Sequence, residues 1–244
     1  MADFEEKIAK LQQMIDDSQS ICFFTGAGIS VPSGIPDFRS ASGIYNQTDG
    51  YTYSPEEMVS HTFLYSHTKD FYEFYRSKML WPDAQPNDAH KYIAALQERK
   101  DVSVVTQNID GLHQKAGSRR VYELHGSVER NYCTRCGKRF PASFIAGSTG
   151  VPKCDVCGAM VRPDVVLYEE GLDGDVIEGA VNAIASADML VVIGTSLVVY
   201  PAASFVRYYR GDKFVVVNLS QTQYDRYTNL AVYEDCAKVA RALT

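Results

Sequence analysis

Apolar residues at Phe4, Ile8, Leu11 and Ile15 recur at helical spacing, so residues 4–16 are predicted as an amphipathic helix. The polar residues 16–20 end it. Ile21-Cys22-Phe23-Phe24 then reads as a buried strand. Mostly apolar or β-branched runs at 102–106, 121–124, 165–168, 189–193 and 214–218 predict further strands, buried on both faces. Helical patterns lie between them. One starts at Asn87 or Asp88 as cap, with Ala89, Ile93 and Leu96 on one face. Others cover 176–187, 201–210 with Pro201 at the start, and 235–243.

Residues 40–87 break this alternation. Ser, Gly, Tyr and Asp are frequent from 40 to 54, which predicts a long loop. Ser54-Pro55-Glu56-Glu57 is a helix start, with Pro at the first helical position and acids in the first turn. Phe63, Tyr65, Phe71, Tyr72, Phe74 and Tyr75 predict one further helix over 62–79 with a buried aromatic face, ended at Trp81-Pro82-Asp83. The stretch is therefore expected to be a helical insertion.

Strands alternating with helices imply an α/β fold, a Rossmann-like parallel sheet with helices on both faces. Ligands of such sheets bind beyond the carboxyl ends of the strands. Four small or polar segments fall there: Gly26-Ala27-Gly28, Gln107-Asn108-Ile109-Asp110, Gly194-Thr195-Ser196 and Asn218-Leu219-Ser220. Their convergence points to a nucleotide crevice. Residues 25–39 alone do not decide this. A helix beginning within 29–33 would aim free N–H groups at a phosphate, yet the dinucleotide fingerprint would want a third glycine where Val31 stands. A glycine turn joining a strand to a helix accounts for the same residues.

A length of 244 residues suits one domain, or one domain with an insertion. The net charge of −6, with no basic stripe, argues against direct nucleic acid binding. No apolar run is long enough to span a bilayer, so no membrane association is expected. The acidic start Met1-Ala2-Asp3-Phe4-Glu5-Glu6 lacks the apolar core of a signal peptide. A cytoplasmic location is expected, and the six cysteines must then act without disulfides. Cys133-Thr134-Arg135-Cys136 and Cys154-Asp155-Val156-Cys157 are two C-x2-C knuckles separated by residues 137–153, a zinc-ribbon spacing. Four thiolates close a tetrahedron and leave no open position, so the predicted zinc ion is structural. Cys22 and Cys236 remain as buried free thiols.

With these motifs in order, the chain resembles the sirtuins, NAD-dependent protein lysine deacylases. The resemblance runs from Ile21 to Cys236. It rests on Gly26-Ala27-Gly28-Ile29-Ser30, Gly34-Ile35-Pro36-Asp37-Phe38-Arg39, Thr106-Gln107-Asn108-Ile109-Asp110, Leu124-His125-Gly126, the four cysteines, Arg162-Pro163-Asp164, Gly194-Thr195-Ser196-Leu197 and Tyr200-Pro201-Ala202. It implies that NAD lies on the sheet edge, its pyrophosphate against Gly26, Ala27, Gly28, Thr195 and Ser196. Val31 and Gln107 fall within the same cofactor-binding motifs. Asn218 would meet the adenine-side ribose and Cys236 the adenine. Ile35, Asn108, Ile109 and Asp110 would hold the nicotinamide, with Phe38 at the pocket's lip and Arg39 acting through Tyr45. The acyl-lysine peptide would add a strand between Val165-Val166-Leu167-Tyr168 and Val198-Val199-Tyr200.

The implied chemistry has the acyl oxygen attack the ribose as nicotinamide leaves. His125 would be the general base on a ribose hydroxyl, with Asn108 and Asp110 as its catalytic companions. The products would be free lysine, nicotinamide and O-acyl-ADP-ribose. His113 falls where the family has a structural histidine. Asp110 would also cap a short helix at 111–116. Residues 1–39, 88–127 and 162–244 would form the NAD-binding domain. The insertion at 40–87 and the zinc-binding module at 128–161 would form the small domain.

The chain departs from the family in two places. Many members have Phe-Gly-Glu where this chain has Tyr168-Glu169-Glu170. The extra acid either favours a basic residue near the target lysine or is merely solvated. Members preferring succinyl- or malonyl-lysine share a Tyr-x-x-Arg pair on the inserted helix. Here Arg76 follows Tyr72 one position late, about 100° around the helix, so acetyl is the expected acyl group. Protein mono-ADP-ribosyl transfer and a catalytically silent NAD-binding interaction module are the rival readings; an intact His125 weighs against the first, and His125, Asn108 and Asp110 together against the second. A hydride-transferring dehydrogenase is disfavoured by the missing third glycine.

Overall fold

The computed structural model describes residues 2–38, 40, 43–44 and 52–243. Arg39 and Tyr45, assigned above to the cofactor loop, lie outside them. Helix α1 (Ala2–Asp16) buries Ile8, Leu11 and Ile15, as the spacing predicts. Strand β1 (Ser20–Thr25) follows. Residues 29–33 do not begin an α-helix. They belong to two 3-10 turns, Ala27–Ile29 and Val31–Ser33, because Pro32 has no N–H to donate and Gly34 turns left-handed at φ 86.

In the insertion, α2 (Pro55–Met58) starts on a Ser54/Glu57 capping box. The single helix expected over 62–79 is two, α3 (His61–Ser66) and α4 (Thr68–Lys78). They break at His67, whose backbone leaves the helical region at φ −128, ψ 45. Helix α5 (Asp88–Leu96) is capped by Asn87, which accepts the Ala89 N–H. Strand β2 (Asp101–Thr106), helix α6 (Leu112–Lys115) and strand β3 (Val121–Glu123) follow.

The cysteine-bearing stretch holds elements with no periodic signal: β4 (Gly126–Cys133), β5 (Arg139–Pro141), helix α7 (Ala142–Ala146) and β6 (Val161–Val165). The run at 165–168 is not one strand. Val165 ends β6, and Tyr168 makes a separate parallel bridge to Ser60. Then come α8 (Gly174–Ser186), capped by Asp173, and β7 (Met189–Ile193). The helix expected at 201–210 is a 3-10 helix, Ala202–Tyr208. Strands β8 (Phe214–Asn218) and β9 (Leu230–Tyr233) and helix α9 (Cys236–Ala242) complete the chain.

Six parallel strands form the main sheet in the order β3-β2-β1-β7-β8-β9. The chain winds outward in opposite directions from β1 and β7, so the switch point lies between their carboxyl ends. One face buries Ile8, Leu11, Ile93, Leu96 and Val239 from α1, α5 and α9. The other buries Ala180, Ile184 and Phe205 from α8 and the 3-10 helix. A second sheet, β5-β4-β6, is antiparallel. It shares a third core with the insertion, built on Phe71, Tyr72, Phe74, Tyr75, Phe140 and Ile145. No described helix is long and apolar enough to cross a membrane.

Two histidines are buried behind the sheet edge. The rings of His90 and His113 meet edge to face at 4.8 Å, and neither ring nitrogen of His90 has a partner. Burial holds His90 down to about 4, from its ordinary 6.5, and His113 well below that ordinary value. The fold thus favours the neutral rings. Their contribution is complete above pH 6.5 and is lost as pH falls towards 4. For His90 alone this amounts to about 3 kcal/mol. Denaturant unfolding across that window should show the decline, and a His90→Phe protein should show less of it. An equal decline in both proteins would contradict the assignment.

Candidate active site

The loops after β1 and β7 interlock at the switch point. Gly26 N–H donates to Ile193 O (3.0 Å) and Gly28 N–H to Gly194 O (2.8 Å). A Cβ on Gly28 would lie 2.7 Å from Gly194 Cα, and one on Gly194, at φ 64, only 2.2 Å from Ile29 N. Glycine is required at both because backbone meets backbone. Gly28→Ala should therefore cost about 1–3 kcal/mol of unfolding free energy. An unchanged unfolding midpoint would show that the loops do not constrain each other.

Asn218 at the end of β8 fixes the β7 loop. Its Oδ1 accepts the Thr195 N–H (3.0 Å) and its Nδ2 donates to Thr195 O (2.8 Å). Gln107 Nε2 donates to Thr195 Oγ1 (3.0 Å), joining the β2 loop to the same residue. Ser196 is exposed, as is Val31 in the second 3-10 turn. Cys236 lies beneath the β1 loop, its Sγ 3.9 Å from Gly28 O and 3.8 Å from Ile29 O. Burial raises its thiol to about 12, so it stays protonated.

The loop after β2 carries a polar cluster. Asn108 Nδ2 donates to Ser30 Oγ (3.0 Å), which donates to Asp110 Oδ2 (2.7 Å). Asp110 Oδ1 accepts the Leu112 N–H (2.9 Å) at the start of α6. Burial raises the Asp110 carboxyl above its ordinary range, against the lowering bonds from Leu112, Ser30 and Asn108. Behind it runs a buried chain. His113 Nε2 lies 3.0 Å from Thr25 Oγ1, which donates to Thr106 Oγ1 (2.9 Å), which accepts the Asn108 N–H (3.1 Å). Phe38 and Ile109 pack against the third core. Ile35 N–H donates to Ser30 O (3.3 Å).

His125 follows β3, half-buried, with Nδ1 2.8 Å from Gln107 O. A carbonyl can only accept, so Nδ1 carries the proton and Nε2 keeps its lone pair. Burial lowers the imidazole's pKa, and the Gln107 bond offsets this only in part. The result is a neutral base with one defined accepting nitrogen.

Cys133, Cys136, Cys154 and Cys157 bring their sulfurs within 4.8 Å of one another. Cys133 Sγ lies 3.3 Å from Cys157 Sγ, and Cys136 Sγ 3.7 Å from Cys154 Sγ. A tetrahedron with Zn–S bonds of 2.3 Å has edges of about 3.8 Å, whereas a disulfide would need about 2.05 Å. Two knuckle N–H groups, of Arg135 and Val156, point at Cys133 and Cys154 Sγ, each at 3.4 Å. Donor type and spacing both fit zinc.

The Sir2 family model matches residues 26–201. The chain belongs to the Sir2 family. A relative from Clostridium acetobutylicum, named NAD-dependent protein deacetylase, is 53% identical over 236 residues, covering 96% of each protein. A Sir2 chain solved with a p53 peptide and NAD+ superposes with a TM-score of 0.83 at 40% identity, covering 96% of each chain. Another, with a deacetylated p53 peptide and 3′-O-acetyl-ADP-ribose, superposes at 0.87 and 39% identity, covering 97% of this chain and 96% of that one.

In this Sir2-family chain the four predicted loops do meet at one sheet edge. Ser30, not singled out from the sequence, is fully buried and links Asn108 to Asp110. Nothing in the hydrophobic pattern marks it; only its place in the Gly26–Ser30 motif could have. Tyr168, Val198 and Tyr200 are large and exposed on the two segments expected to flank the peptide. Tyr72 is fully buried with its hydroxyl donating to Val161 O (2.6 Å), and Arg76 donates to Gly150 O (3.0 Å). Both side chains are thus engaged with the zinc-bearing stretch. A groove of about 580 Å³ lined by Glu123, Arg130, Arg162, Asp164 and Glu170 is internally neutralised: Arg130 pairs with Glu123 and Asp164, and Arg162 with Glu170.

Proposed function

We infer that this protein is an NAD-dependent protein lysine deacetylase with one structural zinc ion. The observation that carries the reading is His125, a neutral imidazole with Nε2 free to accept a proton, on the same edge as the Ser30–Asn108–Asp110 cluster. Bound NAD supplies the ribose that takes the acyl group as nicotinamide departs. His125 Nε2 would take a proton from a ribose hydroxyl in that transfer. Asn108 and Asp110 would hold the nicotinamide carboxamide, with Ile35, Ile109 and Phe38 around the ring. Asp110 offers the carboxamide N–H an acceptor oxygen, in a buried setting that raises its carboxyl above the ordinary range. Gly26, Ala27, Gly28, Gln107, Thr195 and Ser196 would meet the phosphate side of NAD. Val31, Arg39, Asn218 and Cys236 complete the proposed cofactor set, Asn218 by holding the Thr195 backbone.

The peptide would dock as an added strand between Val165-Val166-Leu167-Tyr168 and Val198-Val199-Tyr200, where main-chain pairing demands little sequence. Residues 1–39, 88–127 and 162–244 serve as the NAD-binding domain in this reading, and 40–87 with 128–161 as the small domain. We place the protein in the cytoplasm, since its cysteines serve as four metal ligands and two buried thiols rather than as disulfides. A panel of acyl-peptides with NAD, read by nicotinamide release, tests the reading. Release should depend on the acyl-peptide. With Tyr72 and Arg76 both engaged elsewhere, acetyl-lysine should be turned over at least about tenfold faster than succinyl-lysine, for want of a charge partner for the carboxylate. A succinyl preference would contradict this.

A further inference from the structure

Left-handed backbone outside glycine is disfavoured, because Cβ approaches the following carbonyl. Among the described residues it occurs at Glu169 (φ 77) and Leu197 (φ 55). One lies directly after Tyr168, the other directly before Val198. They thus sit on the two walls of the proposed peptide cleft. Such conformations persist only where surroundings impose them, and they gather at ligand clamps.

The two are held differently. Leu197 is fully buried, its N–H on Thr195 Oγ1 (3.2 Å) and its carbonyl accepting from Gln223 Nε2 (3.0 Å). Glu169 is exposed and has no such packing. The turn bond from Glu170 N–H to Leu167 O (3.0 Å) places it at the third turn position, where a positive φ is usual, and a set of bonds then ties that turn to the helical insertion. Glu169 Oε2 accepts the Thr62 N–H (2.8 Å) in α3. Next to it, Tyr168 N–H donates to Val59 O (3.1 Å) and Tyr168 O accepts the His61 N–H (3.0 Å). The Tyr168 main chain is thereby committed to the insertion. The N–H and C=O of Glu169 itself have no partner among the described residues. Unpaired main-chain groups of this kind are what an added peptide strand requires.

We propose that Glu169 is a positioning residue for the acyl-peptide: its side chain straps the loop to α3 and so presents its own main-chain groups, in a left-handed conformation, to the docking peptide. This rests on the deacetylase reading above. The strap acts through an acceptor oxygen, not through charge. Glutamine keeps such an oxygen. Alanine removes it and leaves the disfavoured φ to the Leu167–Glu170 turn bond alone. Glycine removes it but tolerates that φ.

Steady-state kinetics on an acetyl-lysine peptide with NAD separate these roles. E169A should raise the peptide KM about fivefold or more, with kcat and the KM for NAD within about twofold of wild type. E169Q should restore the peptide KM to within about twofold, and E169G should fall between. An unchanged peptide KM in E169A would overturn the proposal. So would an E169Q as impaired as E169A, above all if the loss were confined to peptides with a basic residue beside the target, since that would make Glu169 a charge reader. A wild-type protein that releases no nicotinamide with the peptide would remove the deacetylase reading itself, before any variant is compared.

Discussion

His125→Ala should lower deacetylation by about 10²–10⁴-fold, the usual worth of a positioned general base, while NAD still binds. The expectation follows from the hydrogen bond between Nδ1 and Gln107 O, which leaves Nε2 as the accepting nitrogen. The bond also ties the base to the loop that carries Asn108 and Asp110. The ring is not part of the apolar cores, so its loss should leave the fold intact. Calorimetric binding of NAD to the variant would separate lost chemistry from lost binding. The pH dependence gives a second readout. Burial lowers the imidazole below its ordinary 6.5, and the neutral form is the active one. Activity should therefore be flat above pH 6.5 and fall only as pH drops through the depressed value. A profile that rises through pH 7 to 8 would mean that another group is being titrated.

Cys154→Ala should abolish tight metal binding and release the small module. Cys154 and Cys133 are themselves buried in the third core, with Phe140, Ile145 and Val161. Strand β5 there has three residues, and the knuckles are held by bonds such as Cys154 N–H to Ala159 O (2.8 Å) and Thr134 N–H to Met160 O (2.9 Å). Losing one ligand leaves three thiols facing each other with no cation. A loss of about 4 kcal/mol or more is expected, a fall in melting temperature of about 10 °C for a chain of this size. Elemental analysis should give one zinc per wild-type chain and much less in the variant. Because the main sheet has two cores of its own, peptide turnover should suffer more than NAD binding. A variant that melts like wild type would show that the ion does not hold the module.

The parts of this molecule that were legible in the sequence share a physical reason. Strands such as β7 and β8 are buried on both faces, so they appear as unbroken apolar runs. The carboxyl-end rule then located the loops around Gly26, Asn108, Gly194 and Asn218. The antiparallel sheet β5-β4-β6 was hidden because knuckle turns and a register shift between Ser127 and Asn131 interrupt its alternation. Strand β9 is only four residues long, too short to show a period. The break at His67 was concealed by aromatic residues continuing through both helices. In the site, residue types and the meeting of the four loops were legible, but the individual contacts between them were not. Ser30 acquires its place only when the β1 and β2 loops meet. The tautomer of His125 depends on a carbonyl contributed by residue 107. Arg39 and Tyr45 fall outside the described residues.

The central claim, acyl transfer from lysine to the ribose of NAD, is tested most directly by following a labelled acetyl-lysine peptide and labelled NAD together. The account predicts free lysine peptide, nicotinamide and soluble O-acetyl-ADP-ribose in equal amounts. ADP-ribose label fixed on protein, or nicotinamide released without loss of the acetyl group, would contradict it.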